Sequence, residues 1–84
     1  MFITALSLRK NHTIMLSSEI GETIKSRRKE LGITQPHLAE LAGINTNTLY
    51  KLETGLGNPS LAVLNKLAEV LGMEIKIEVK KPLG

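Results

Sequence analysis

The chain has no cysteine among its 84 residues, and Phe2 and Tyr50 are its only aromatic residues. Without cysteine there is neither a disulfide framework nor a thiolate metal site. Two aromatics do not make the stacking platform on which common RNA-binding modules splay bases. No apolar run approaches membrane-spanning length and no cleavable signal pattern is present, so a cytoplasmic setting with no membrane partner is expected. His12 and His37 have no companions at ligand spacing. Glu22, Glu30 and Glu40 read as surface charges on helices, and no nucleophile–base set accompanies them. We therefore expect no catalytic residues, no metal and no cofactor.

Positive charge is present but poorly placed for a simple argument. The net charge is +3, yet residues 19–58 are neutral, with Lys25, Arg27, Arg28, Lys29 and Lys51 against Glu19, Glu22, Glu30, Glu40 and Glu53. Much of the excess lies near the ends, in Arg9, Lys10, Lys80 and Lys81. An anionic partner must be argued from local placement, not from the total. A chain of this length is one domain with a marginal core.

What the sequence does hold is concentrated in Thr34–Glu53, TQPHLAELAGINTNTLYKLE. Thr34 is an N-cap residue, Pro36 falls in a first turn where a missing N–H costs little, and Gly43 is a helix stop. Asn45 caps a second helix two residues later. Ile33 with Leu38, and Ile44 with Leu49, have the spacing of two hydrophobic staples. Helix, glycine-containing turn and helix together make a helix-turn-helix signature. At about 100° per residue, Thr46, Asn47, Tyr50, Lys51 and Thr54 share one arc of the second helix, opposite Leu49 and Leu52. Hydroxyls, amides and amines with no acid among them are the groups that read base edges in a DNA major groove. A solvated amphipathic face is the plain alternative, and the capped helix and turn ahead of it weigh against that.

Around this motif, a first helix is expected from Ser17 or Ser18 to Leu31, with Ile20, Ile24, Arg27, Arg28 and Leu31 facing inward. Leu56–Pro59 is a loop. Ser60 caps a last helix whose inward face is Leu61, Leu64, Leu67, Ala68 and Leu71. Gly32, Gly43, Gly55 and Gly72 stop the four helices. Residues 1–15 are expected to be an N-terminal arm or disordered extension, residues 16–72 the helix-turn-helix domain, and residues 73–84 a strand and tail. In Met73–Lys81 the period changes to two: Ile75, Ile77 and Val79 alternate with charged residues, as in a strand with one face to bury. A lone strand needs a partner, either the N-terminal segment or the same strand of a second copy. We favour the second, a homodimer in which Glu and Lys side chains face each other.

Three segments, RRKELGITQPHLAELAGI, TLYKLETG and NPSLAVLNKLAEVLG, carry a family resemblance over Ile20–Gly72. The sequence resembles the Cro/repressor-type, or XRE, helix-turn-helix proteins. The tail LGMEIKIEV makes it similar to the HipB-like antitoxins, which dimerise through a C-terminal strand and act with a HipA-like toxin kinase. The resemblance implies an all-α core, a four-helix lambda-repressor-like DNA-binding domain, with a C-terminal β-strand that pairs across a dimer. It implies base reading by Thr46, Asn47, Tyr50 and Lys51, and phosphate contact by Gln35. Arg28 and Glu53 match an ion pair that bridges the first and third helices in relatives.

Lys25, Arg27, Lys29 and Thr48 are the further candidates for phosphate. Leu56–Pro59 lacks the Lys or Arg that certain phage repressors carry there, which weakens minor-groove readout. The function expected is a sequence-specific repressor on an inverted-repeat operator in double-stranded DNA, and the antitoxin of a toxin–antitoxin pair. A stand-alone regulator and a protein-interaction module are the alternatives.

Overall fold

The computed structural model describes residues 13–76, with side-chain surroundings from Ser17 onward. Four helices follow in order: α1 Thr13–Glu30, α2 Gln35–Ala42, α3 Thr46–Glu53 and α4 Leu61–Leu71. The caps are the ones the side chains dictate. Thr34 Oγ1 accepts from the His37 amide, Asn45 Oδ1 from the Asn47 amide and Ser60 Oγ from the Val63 amide.

All four helices end in the same closure. The glycine after each lies in the left-handed region, at φ 69° for Gly32 and Gly43, 76° for Gly55 and 68° for Gly72. Its amide and the next one return to carbonyls of the last turn, as in Ile33 N–H to Arg28 O, Ile44 N–H to Ala39 O and Leu56 N–H to Lys51 O. This is the Schellman arrangement, which leaves an apolar residue just past the glycine to pack back. Ile33, Ile44 and Met73 do so; Leu56 does not, and is 57% exposed. Ile33 and Ile44 also stand immediately before the caps Thr34 and Asn45. One side chain thus closes a helix and opens the next.

Ile24, Leu38, Leu49, Leu67 and Leu71 are fully buried at the centre, joined by Leu52, Leu64, Met73 and three alanines. Each such leucine or isoleucine contributes roughly 1.5–3 kcal/mol by leaving water. Two expected core residues lie outside. Leu31 is 44% exposed because α1 has already ended, and the turn at Gly32 hands its place to Ile33. Leu61 is 57% exposed; it opens α4 a full turn ahead of Leu64, the first residue of that helix to be buried.

The first helix begins earlier than expected, at Thr13, so residues 13–15 belong to α1 and not to an arm. Ser17 and Ser18 are interior positions, where serine is tolerated without capping anything. Residues 1–12 lie outside the described residues. At the other end, residues 73–76 form no strand. A strand needs a neighbour for its backbone groups, and the described part of the chain offers none. The expected dimer-strand residues Ile77 and Val79 lie outside the described residues, while Ile75 packs on the chain's own core.

Two features fix α3 against α1. A Cβ built on Gly21 would meet the Leu52 carbonyl oxygen head-on and lie 3.3 Å from the Glu53 Cα, so α1 and α3 cross backbone to backbone. Beside this crossing lies a buried ionic cluster. Arg28 donates Nε to Glu53 Oε2 at 2.7 Å and a terminal nitrogen to Oε1 at 2.9 Å, while its other terminal nitrogen reaches the Ile33 carbonyl at 2.8 Å. Gln35 Nε2 donates to the same Oε1 at 2.9 Å. The Glu53 side chain is 1% exposed and that of Arg28 11%, and no described buried side-chain polar atom lacks a partner. The hydrogen bond that Arg28 donates to the Glu53 carboxylate, opposed by burial, raises the Arg28 pKa above its ordinary value. With Glu53 ionised, that contribution is present below the ordinary arginine value and is lost as pH rises through the raised one.

Gly21→Ala is therefore expected to destabilise by about 1–3 kcal/mol in urea denaturation, as overpacking does. An ordinary helix interior would instead gain roughly 0.5–1 kcal/mol from the same change. Arg28→Ala is expected to cost ~3–5 kcal/mol, because it strands the Glu53 carboxylate. Circular dichroism should then show lost helix wherever function is lost.

Candidate nucleic-acid interface

Helix α3 divides cleanly by exposure. Leu49, Leu52 and Glu53 are buried, whereas Thr46, Asn47, Tyr50 and Lys51 are exposed. Tyr50 keeps half its surface in solvent, and Lys51 makes no ion pair among the described residues. The fifth residue of the arc differs from expectation. Thr54 is exposed, yet its hydroxyl donates back to the Tyr50 carbonyl at 2.9 Å and lies 3.1 Å from that of Lys51. It ends the helix and offers no outward donor.

Thr48 lies about 200° around the helix from Thr46, off the outward arc. With Lys51, Leu52, Leu56, Gly57, Asn58 and Pro59 it lines a shallow cleft of about 180 Å³ between α3 and the following loop. Thr48 thus borders the outward face of α3 and is not part of it.

The start of α2 is less open than a bare helix terminus. His37 and Leu38 amides are taken by Thr34, and Pro36 has none. The Gln35 amide, together with the second hydrogen of its side-chain nitrogen, is what remains for an anion. Because the first hydrogen is bound to Glu53, Gln35 links that open position directly to α3.

Along α1 the basic residues separate. Lys25 and Lys29 follow Gly21 at four-residue intervals and share the flank that crosses α3; Lys25 is half-buried and Lys29 exposed. Arg27 lies about 200° from either, on the opposite flank. Its Nε donates to the Leu71 carbonyl at 2.9 Å, and a terminal nitrogen lies 3.9 Å from Glu30. Arg27 therefore closes the negative end of α4 and lies on a different flank of α1 from the two lysines. The two-residue spacing already contained this separation. Gly21 was the other signal passed over, a lone glycine inside a helical pattern, which marks a close backbone approach when it is not a stop.

Comparison with known proteins agrees with this geometry. The helix-turn-helix family HTH_3 matches residues 24–77. An uncharacterized HTH-type transcriptional regulator of Methanothermobacter thermautotrophicus is 45% identical over 51 residues, which is 61% of this chain and 74% of that protein. The HTH-type transcriptional regulator SinR of Bacillus subtilis is 40% identical over 57 residues, or 67% of this chain and 51% of SinR. The immunity repressor protein of Bacillus phage phi105 is 39% identical over 56 residues, covering 67% of this chain and 39% of the repressor. The chain thus spans about half of SinR and less of the phage protein. The family match takes in α2, the turn, α3 and α4 whole, so the chain belongs to the XRE-type helix-turn-helix family.

Proposed function

We propose that the chain binds double-stranded DNA sequence-specifically and represses transcription, with the outward face of α3 entering the major groove. The observation that carries this is the division of α3. Its inner side is locked by Leu49, Leu52 and the Glu53 cluster, while Thr46, Asn47, Tyr50 and Lys51 project without internal partners for their side chains. Asn47 has the amide geometry that pairs bidentately with adenine, and Lys51 is a donor for guanine or for phosphate. Gln35, Lys25 and Lys29, with Thr48 at the border, hold the flanking phosphates in this reading. Two copies would read an inverted repeat with half-sites about one helical turn apart, or a multiple of that.

A narrower reading makes the chain an antitoxin that restrains a HipA-like kinase and represses its own operon. It is supported by the tail Leu71–Val79, which follows the helix-turn-helix domain directly. Co-purification with a kinase encoded next to it supports this version; operator binding without such a neighbour supports the stand-alone regulator.

The preferred duplex can be selected from a random pool and the variants measured on it. Asn47→Ala is expected to keep the fold and to lose about 1–3 kcal/mol of discrimination between selected and mismatched duplex. An unchanged ratio sinks the base-reading assignment. Lys29→Ala should weaken binding to all duplexes alike and lower the salt slope by about 1. Arg27→Ala should leave that slope alone and cost about 1 kcal/mol of stability instead. If the slope falls with Arg27→Ala and holds with Lys29→Ala, the two flanks of α1 have been assigned the wrong way round.

A further inference from the structure

The entry of α3 is held differently from the rest of its outward face. Asn45 Oδ1 accepts from the Asn47 amide at 2.7 Å, which pins the backbone there. The Thr46 and Asn47 side chains stay exposed and make no hydrogen bond among the described residues. Successive residues of a helix lie about 1.5 Å apart along its axis and about 100° apart around it. Thr46 is about 20° around from Glu53, the side that Arg28 and Gln35 tie to α1 and α2. Asn47 is on the other side, about 40° short of Lys51, which with Thr48 borders the cleft and the loop after α3. Base pairs in a duplex are stacked about 3.4 Å apart. Thr46 and Asn47 therefore stand at one level of a groove, one toward each wall. Tyr50 and Lys51, four residues further on, stand about 6 Å along the axis, close to two base-pair steps away.

We propose that Thr46 and Asn47 read a single A·T pair of the half-site, each from one end of its major-groove edge. This rests on base reading by α3 and names what is read. The edge carries N7 and the N6 amino group at the adenine end, and O4 and the C5-methyl group at the thymine end. The Asn47 amide donates to N7 and accepts from N6, while the Thr46 methyl group packs on the thymine methyl. No other pair suits both side chains. In G·C the Asn47 carbonyl oxygen would face guanine O6, and cytosine offers Thr46 no methyl group. Reversal to T·A sets the amide against the methyl group. The adenine accordingly belongs to the strand on the cleft side, and the thymine to the strand on the side of Gln35, Lys25 and Lys29. A chemical control follows. In a paired duplex a methyl group on adenine N6 takes the place of the one amino hydrogen that points into the groove. Asn47 then loses its donor, so methylation of that adenine weakens binding.

The full chain and a duplex selected from a random pool test this, with every affinity taken at one salt concentration. One A·T pair in each selected half-site is expected to respond to substitution at both of its bases. Uracil for thymine removes one methyl group and should weaken binding about fourfold. At the partner adenine, 7-deazaadenine and N6-methyladenine should each weaken it about tenfold. Thr46→Ser keeps the hydroxyl and loses the methyl group, so it should bind the thymine and uracil duplexes alike while still losing about tenfold on 7-deazaadenine. Asn47→Ala should do the reverse, indifferent to 7-deazaadenine and still sensitive to uracil. Bases that respond only at different pairs, a variant that leaves its own base sensitive, or selected half-sites without an A·T pair overturn the proposal. Where the chain nevertheless prefers its selected duplex to a mismatched one, base reading by α3 stands. A chain that prefers no duplex removes both.

Discussion

A single carboxylate holds the third helix in place. Glu53 belongs to α3 but lies on its inner side, where it receives two donors from Arg28 of α1 and one from Gln35 of α2. Three helices are thereby tied to one point, and the tie is charged, directional and shielded from water. Apolar packing alone would let α3 slide or rotate by small amounts at little cost, since dispersion has no direction. A bidentate guanidinium–carboxylate pair with a third donor does not permit that. A short helix of eight residues is marginal by itself, so its orientation has to come from outside it.

The same cluster clarifies the neutral charge of the motif region. Arg28 and Glu53 spend their charges on each other, and Arg27 is spent on the end of α4. What remains on the α3 side of α1 is the half-buried Lys25 and the exposed Lys29, and on α3 itself Lys51, which makes no ion pair among the described residues. A count of charges could not distinguish these uses, because a buried pair and two surface charges sum alike. Position around the helix separates them.

Much of the scaffold was legible in the sequence because it is written in local chemistry. Caps at Thr34, Asn45 and Ser60 and stops at Gly32, Gly43, Gly55 and Gly72 act within a few residues, and their side chains state their role. The exposed face of α3 followed from one helical period. Long-range relations were less visible. The contact of Arg27 with Leu71 spans 44 positions, and the demand for glycine at position 21 arises from a carbonyl of α3. Leu31 and Leu61 fit the periodic pattern yet miss the core, because a pattern carries no information about where the neighbouring helix stops. The start of α1 was misread for a related reason: serine is a cap only where a chain enters a helix.

Only Leu31-Gly32-Ile33-Thr34 and Gly43-Ile44-Asn45 separate α1 from α2 and α2 from α3, and in each the glycine, isoleucine and cap follow one another without a spare residue. Each joint is a rigid elbow whose angle is set by the packing of an isoleucine, so lengthening either by even one residue would separate the closure from the cap it precedes. The outward side chains of α3 can be exchanged without disturbing either elbow. The architecture thus combines stiff joints with a helix face that is free to vary.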